Sequence, residues 1–235
     1  MAAINETQTK GNNTYYNIVN GKISTPCEET TEGVKTRTNS EGTIKHELHY
    51  SGLVGQITNV SFKAGKYGRQ LEVKLTDGGA NDVLNIECNS GYGSSFLNKI
   101  ANVDLTKPVK IEVFAIKEGD KTKQLLTIKQ AGESGLIDSK IATAYTKENP
   151  NGLPQWEQIF LKDGVTPVLK NAKNTYDTTA QENFYTNLIE AIVQPKLVAL
   201  YHERNAAKPA VNTPDGLPTE FGADSDTKAT KKAKV

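Results

Sequence analysis

Aromatic and basic residues occur together in one short segment of the chain. Residues 62–69 read Phe-Lys-Ala-Gly-Lys-Tyr-Gly-Arg, which places two rings and three cations within eight residues. A ring offers any nucleobase a stacking partner worth about 1–3 kcal/mol, while cations follow the phosphates. This pattern favours a surface for unpaired nucleic acid. Tyr67 is the ring hardest to place in a core, because it lies in a loop between Gly65 and Gly68.

The predicted interface extends to further rings and lysines on neighbouring elements. Stacking is assigned to Tyr67, Tyr92 and Phe114, and phosphate contacts to Lys63, Lys66, Arg69, Lys74, Lys110, Lys121 and Lys123. A second interpretation stays open, in which Phe62, Phe96 and Phe114 are core residues, since most aromatics of small β domains are buried. Trp156, the single tryptophan, is either a stacking ring or the anchor of a hairpin. The anchor is favoured because tryptophan is mostly buried.

Residues typical of catalysis do not accompany these rings. His46 and His49 are three positions apart on a predicted strand, so they point to opposite faces and cannot share a metal. The chain contains no phosphate-binding loop, nucleophile elbow or zinc-protease motif, and residues 91–96 have Phe where a dinucleotide fingerprint has its third Gly. The chain is therefore predicted not to be an enzyme, with no metal and no cofactor.

Length, charge and cysteine content limit the class of protein. The 235 residues include 28 Lys and Arg against 27 Asp and Glu, a net charge of +1, so any nucleic-acid site must be local. No stretch approaches the roughly 18 apolar residues of a membrane span, and no secretory leader is visible. Cys27 and Cys88 are too few for a disulfide scaffold. We expect a protein of a reducing compartment without a membrane partner.

Short apolar runs with a period of two dominate residues 44–132 and predict a β domain. A helix within residues 91–102, N-capped by Ser94, interrupts the strands. The strands are predicted near 44–50, 53–62, 68–76, 82–89, 109–117 and 124–130. This order is that of an oligonucleotide-binding (OB) barrel, whose two connecting loops, here 62–69 and 117–123, border the ligand groove. The predicted fold is mainly β: a five-stranded OB-fold Greek-key barrel with one inter-strand helix, extra hairpins and a C-terminal helix.

The remaining segments are assigned around that core. They are a flexible head over 1–14, an N-terminal hairpin and loop over 15–43, the OB-fold core over 44–132, a hairpin plus C-terminal helix packed on the core over 133–202, and a disordered tail over 203–235. Asn20-Gly21 predicts a type I′ turn in the first hairpin. The second hairpin is predicted from strands at 140–146 and 155–162. The helix is predicted over 178–193, with Phe184, Leu188 and Ile192 at four-residue spacing and Pro195 ending it.

Several motifs, in chain order, resemble the single-stranded DNA-binding proteins of tailed bacteriophages. They lie at residues 16–22, 47–50, 67–68, 90–97, 102–109 and 145–154. The resemblance implies an OB fold that coats and protects single-stranded DNA, without sequence preference or catalysis, in phage DNA replication or recombination. The implied location is the cytoplasm of the infected bacterial host, with phage replication or recombination proteins as partners. Residues 92–97 and 147–154 either contact DNA or only fix a turn.

One departure from that family concerns the C-terminal tail. Such proteins often end in an acidic tail that recruits partners, whereas residues 204–235 carry six Lys and Arg against four Asp and Glu. Three alternative functions stay open: a virion structural or assembly protein that uses the barrel as a docking surface, a metal-dependent nuclease, and a protein that binds duplex DNA.

Overall fold

The computed structural model describes residues 13–39, 41–66, 68–77, 80–132, 135–170 and 173–206. The strands are β1 Asn13–Val19, β2 Lys22–Pro26, β3 Lys35–Thr38, β4 Ile44–Tyr50, β5 Gly52–Gly65, β6 Gly68–Asp77, β7 Ala80–Glu87, β8 Val109–Glu118, β9 Lys121–Ala131, β10 Ile137–Lys140, β11 Glu157–Gln158, β12 Leu169–Lys170, β13 Lys173–Asn174 and β14 Tyr176–Asp177. The helices are α1 Gly91–Ile100, α2 Thr179–Asn187 and α3 Gln194–Ala206, with a π-helical turn, Leu188–Val193, between the last two.

Ten strands form one mixed sheet, in the order β10-β9-β8-β5-β6-β7-β1-β2-β4-β3. The chain is thus mainly β with a C-terminal helix, as predicted. The prediction of a five-stranded barrel is wrong in strand number, since the sheet has ten strands, and within the described residues β9 does not pair with β7. Instead β1 pairs with β7 in parallel, with Tyr16 opposite Leu84, and the sheet continues through β2, β4 and β3. The edge that a fifth strand would close is already occupied by the N-terminal hairpin.

Strand β5 is shared between the two halves of this sheet. Its first residues, 52–55, pair with β8, and residues 56–65 pair with β6. The pairing register shifts between Ile57 and Asn59, and such a bulge bends a strand and increases its twist. Because of that bend, the β8–β9 hairpin and the β6–β7 hairpin both turn their apolar faces toward a common core.

The core follows the period-two alternation of the sequence. Leu71, Val73 and Leu75 are essentially inaccessible to solvent, while Glu72 and Lys74 lie on the opposite, polar face of the sheet. Phe96 of α1 is completely buried, which supports the core interpretation for that ring. Phe114 is 43% exposed, so the core interpretation is wrong for Phe114.

Helix α1 begins four residues earlier than the sequence indicated. Its N-cap is Ser90, whose hydroxyl accepts a hydrogen bond from the Gly93 amide at 3.1 Å, so the predicted cap at Ser94 is wrong. Gly93 lies against the carbonyl oxygens of Glu87 and Cys88 so closely that a Cβ would overlap them. The glycine lets the chain turn directly from β7 into α1.

The N-terminal hairpin is built around Asn20 and Gly21. Both have positive φ, 49° and 75°, as a type I′ turn requires. Gly21 lies against the backbone of Ala115 in β8. The predicted surface loop over 25–43 is wrong for β3, which pairs with β4. The predicted flexible head is likewise wrong for residues 13–14, which belong to β1, and its other residues lie outside the described part of the chain.

The hairpin predicted from residues 140–146 and 155–162 is replaced by two different arrangements. The first strand reduces to β10, which pairs with β9. The chain then crosses α1, where Asn98 accepts from the Ala144 amide at 2.7 Å and Asn102 donates to the Ala142 carbonyl at 3.0 Å. These hydrogen bonds, to α1 and to Asn102 just after it, occupy the Ala144 amide and the Ala142 carbonyl, which a hairpin would have paired with a second strand. The second strand reduces to β11, which pairs with β14.

The C-terminal helix does not end at Pro195 as predicted. Pro195 is the second residue of α3, and a proline is tolerated in the first turn of a helix. The π-helical turn before it changes which side chains face the core. Ile192 is 44% exposed, whereas Val193 and Leu197 are buried. The predicted disordered tail is wrong for residues 203–206, which belong to α3, and its other residues lie outside the described part of the chain. None of the described helices is long and apolar enough to span a bilayer.

Candidate nucleic-acid interface

A cleft of about 670 Å³ opens where the β5–β6 hairpin, the β7–α1 turn and helix α2 meet. Its described lining combines aromatic, cationic and polar side chains, with Glu182 as the one carboxylate and no histidine. The lining residues are Phe62, Gly68, Arg69, Cys88, Asn89, Ser90, Gly91, Ser94, Leu97, Trp156, Thr178, Gln181, Glu182 and Tyr185. The cleft therefore presents ring, guanidinium and neutral polar groups side by side.

One wall of the cleft is a stacked pair, Phe62 and Arg69. The guanidinium carbon of Arg69 lies 3.5 Å from the centroid of the Phe62 ring, well within the range of a cation–π contact. Nη1 of Arg69 donates to the Thr186 hydroxyl at 2.6 Å, and Nη2 lies 3.7 Å from the Glu190 carboxylate. The helix therefore holds the guanidinium plane against the ring. The result is a flat cationic surface at the edge of the cleft.

A second wall of the cleft carries Trp156, which the sequence did not assign to the site. The indole is 55% exposed, so the expectation that it is a buried anchor is wrong. Its Nε1 donates to Oε1 of Gln181 at 2.6 Å, and Nε2 of Gln181 donates to the Pro154 carbonyl at 3.2 Å. The Tyr176 ring lies 6.0 Å away, centroid to centroid. One edge of the indole is fixed while much of the ring stays accessible.

The beginning of α1 also lines the cleft, through Ser90, Gly91 and Ser94. The first turn of this helix contains no acidic residue, and the N-terminal end of a helix dipole attracts anions. Tyr92, predicted to stack on DNA, is only 6% exposed, so that assignment is wrong. The tight turn at Gly93 directs this ring into the core, and burial raises the pKa of its hydroxyl. Residues 92–97 thus fix the turn and the helix.

The predicted phosphate ligands of the β5–β6 hairpin are engaged with carboxylates. Lys63 and Lys74 contact Glu72 at 3.0 and 3.6 Å, and Lys66 contacts Glu41. Burial works against ionisation of Glu72, but the two ammonium groups outweigh it, and the pKa of that carboxyl is lowered. Tyr67 lies outside the described residues.

The other predicted residues lie on the β8–β9 hairpin. We call its outer part, residues 114–125, the ribbon. Ile116 pairs with Lys123 and Glu118 with Lys121, so these side chains share one face with Phe114. Phe114 and Ile116 are 43% and 47% exposed. Among the described residues, no carboxylate lies within ion-pair distance of Lys121 or Lys123.

Closer to the core, the lysines on the same face of the β8–β9 hairpin are paired with a carboxylate. Lys110 and Lys129 contact the Glu112 carboxylate at 2.8 and 2.7 Å. Hydrogen bonds from these two ammonium groups lower the pKa of Glu112. Lys110, a predicted phosphate ligand, is therefore an ion-pair partner on this surface, and the lysines without a carboxylate partner lie farther out on the ribbon.

A single residue connects the ribbon to the cleft. Gln124 of β9 accepts a hydrogen bond at its Oε1 from the Gly91 amide at 3.2 Å. Ala115 pairs with Gln124 and Lys117 with Thr122, so Lys117, which the sequence analysis did not assign, lies on the Gln124 face of the ribbon. The predicted residues thus separate into Arg69 in the cleft and the Phe114–Lys123 face of the ribbon, which points away from Gln124.

The described residues contain no group of three or more His, Cys, Asp or Glu side chains that could hold a metal ion. His49 lies 3.5 Å from Glu47, and His46 lies 3.2 Å from the Thr36 hydroxyl, on strands far from the cleft in the sheet order.

Comparison with protein-family models, curated proteins and solved structures gives no match to this chain. The functional argument therefore depends on the residues of the cleft and the ribbon.

Cys88 lines the cleft, and its partial burial there changes the pKa of its thiol. Burial, with a smaller contribution from Glu182, raises the pKa of this thiol to about 11 although Arg69 opposes the change. In the Cys27→Ser variant, where Cys88 is the single thiol, we expect the iodoacetamide alkylation rate to rise about tenfold per pH unit from pH 7 to about pH 9.5, because the thiolate is the nucleophile. A rate that levels off near pH 8.5, as for an unperturbed cysteine, would contradict the half-buried position of Cys88.

Proposed function

We propose that this chain is a single-stranded DNA-binding protein that coats DNA with little sequence preference, by stacking bases on exposed rings and neutralising phosphates. One observation carries the proposal. The exposed indole of Trp156 and the Phe62–Arg69 pair form two flat walls of one open cleft.

Flat walls of this kind favour unpaired bases over a duplex. In a duplex the faces of the bases are stacked on one another, whereas in a single strand each base can lie against a ring or a guanidinium plane. An arginine guanidinium contributes both a stacking surface and a positive charge. The cleft therefore suits a strand whose bases are already free.

The polar groups of the cleft support binding without sequence preference. Gln181 is occupied by Trp156 and the Pro154 carbonyl. Ser90 is occupied by the Glu87 carbonyl and the Gly93 amide, and Thr178 donates to Glu182 at 2.7 Å. Side chains that already make such bonds have few free donors or acceptors for the edges of the bases. Sequence-specific recognition requires hydrogen bonds to those edges.

The phosphate backbone is assigned mainly to the ribbon. Lys121 and Lys123 have no carboxylate within ion-pair distance in the described structure, and Lys117 lies on the face of the ribbon near Gln124. The Gln124–Gly91 hydrogen bond places the ribbon next to the beginning of α1. A strand leaving the cleft therefore meets the α1 N-terminus and then Lys117, and it crosses the edge of the two-stranded ribbon to reach Lys121 and Lys123 on the other face.

The strand order also supports the proposal. The order β5, β6, β7, α1, β8, β9 and the pairing of β5 with both β6 and β8 are features of an OB fold. We propose an open variant of that fold, with β1 beside β7. With the resemblance to phage single-stranded DNA-binding proteins, this favours a role in phage DNA replication or recombination, in the infected bacterial cytoplasm and alongside the phage proteins of those processes.

Removing the indole tests the stacking assignment. The Trp156→Ala variant is expected to bind oligo-dT about 5- to 150-fold more weakly, which corresponds to the roughly 1–3 kcal/mol of one stacked base, while Trp156→Phe keeps most of the affinity. Fluorescence anisotropy of a labelled oligonucleotide measures both.

Tyr201→Ala is the matched control for that experiment, because Tyr201 is a 60% exposed ring on α3 that does not line the cleft. Equal affinities for the parent and Trp156→Ala proteins would overturn the assignment, as would equal affinity for single strands and duplex.

Removing lysines from the ribbon tests the phosphate assignment. For single strands, the logarithm of affinity falls with the logarithm of salt concentration by about 0.7 for each phosphate neutralised. The Lys121→Gln/Lys123→Gln variant should therefore have a slope shallower by up to about 1.4. The Lys35→Gln/Lys45→Gln variant, on β3 and β4 at the far edge of the sheet, should keep the parent slope. An unchanged slope in the ribbon variant would exclude these two lysines as phosphate ligands.

A further inference from the structure

An apolar groove lies on the opposite end of α1 from the cleft. It has a volume of about 550 Å³, between the last turn of α1, residues 103–106 and the helical segment 188–200. Its walls are mainly aliphatic: Ile100, Val103, Leu105, Leu188, Val193 and Leu200. Asp104 and Lys196 place one negative and one positive charge on the lining.

The π-helical turn shapes this groove. Ile192 lines it and is 44% exposed, although Leu188 and Val193 on either side are buried. A π-helical turn contains one extra residue and occurs frequently at functional sites. The small side chains of Ala101 and Ala199 leave the space that larger residues would fill.

The same chain carries a segment whose apolar side chains are largely exposed. We call residues 157–170 and 173–177 the arm. It is held together by the β11–β14 pair, the β12–β13 pair and the Phe160–Pro167 bridge. Besides Tyr176, whose ring lies beside Trp156, five large apolar side chains of the arm are exposed: Ile159 38%, Phe160 44%, Leu161 53%, Val165 77% and Leu169 58%. Contiguous exposed apolar surface of this kind marks interaction sites.

The tip of the arm carries one charge of each sign, as the groove does. Asp163 accepts hydrogen bonds from the amides of Val165 and Thr166 and from the Thr166 hydroxyl. These bonds fix the tip and lower the pKa of the Asp163 carboxyl, so it is ionised at neutral pH. Lys162 lies beside it in the sequence. Lys162 can therefore face Asp104 while Asp163 faces Lys196.

We propose that the arm of one copy of this chain occupies the groove of the next copy. The arm of the same copy does not fill it, since the arm residues named above keep their exposure within their own chain. A small polar ligand is disfavoured, because ligand pockets present several convergent polar groups, whereas this lining is mainly aliphatic.

Arm and groove are different surfaces, so the contact is heterologous unless two copies exchange arms in a symmetric dimer. Heterologous contacts form open chains when the rotation between copies does not close a ring. The inference does not depend on nucleic acid, although an open chain of copies suits a protein that coats long strands.

The test uses two variants that each remove one side of the contact. Val165→Asp alters the arm and leaves the groove intact, and Ile192→Asp alters the groove and leaves the arm intact. Both positions are solvent-exposed, so both variants are expected to fold, which circular dichroism checks. In sedimentation velocity without DNA, from about 1 μM to roughly 1 mM, the parent chain should self-associate and each variant should associate at least about tenfold more weakly.

An equimolar mixture of the two variants separates this contact from any symmetric one. The intact arm of Ile192→Asp fits the intact groove of Val165→Asp, so the mixture should form a heterodimer that does not extend further. Val198→Asp, an exposed residue of α3 outside the groove lining, should associate like the parent. A monomeric parent chain, variants that associate like the parent, or a mixture that stays monomeric would each overturn the inference. Oligo-dT affinity of Val165→Asp at low protein concentration reports on the proposed function separately.

Discussion

The guanidinium group of Arg69 lies where three parts of the chain meet, and the cleft depends on its contacts. It stacks on Phe62 within the β5–β6 hairpin, and it is bonded to Thr186 and close to Glu190 on the C-terminal helix. These contacts join the sheet to the helix beside the cleft. The helix in turn places Gln181 beneath Trp156. The two flat surfaces on which the proposed function depends are therefore positioned by one connected set of contacts.

Charge distribution limits where an anionic strand can bind on a chain whose net charge is only +1. On the polar face of the sheet, Glu72 and Glu112 each contact two lysines. Such pairs leave little free positive charge close to the core. The ribbon is different, because Lys121 and Lys123 extend beyond the reach of these carboxylates. A protein can thus offer phosphates a local site without a basic composition.

Local patterns in the sequence predicted the elements well and the tertiary arrangement less well. Alternation located the strands, because burying every second side chain is a property of the strand itself. The pairing of β1 with β7 and the loss of barrel closure depend on contacts between residues about 70 positions apart, such as Tyr16 and Leu84. No local pattern records such contacts, so a five-stranded barrel was predicted where a ten-stranded sheet formed.

For the same reason, the sequence predicted only part of the candidate site. The segment 62–69 was singled out by composition, and it supplies one wall of the cleft. Tyr92 has the residue type of a stacking ring, but its direction is set by the tight turn at Gly93, which only the packing against β7 reveals. Trp156 was left as a stacking ring or a hairpin anchor, and the anchor was favoured on residue type. Its indole bonds to Gln181 on a helix distant in sequence, a contact that no local pattern records.

The most direct test of the account is the emission of Trp156, the single tryptophan of the chain, as oligo-dT is added under conditions where anisotropy shows that it binds. The account predicts strong quenching of that emission at saturation, since a base stacks on the indole. Saturated binding with the Trp156 emission unchanged would show that the strand lies elsewhere and would contradict the assignment of the cleft.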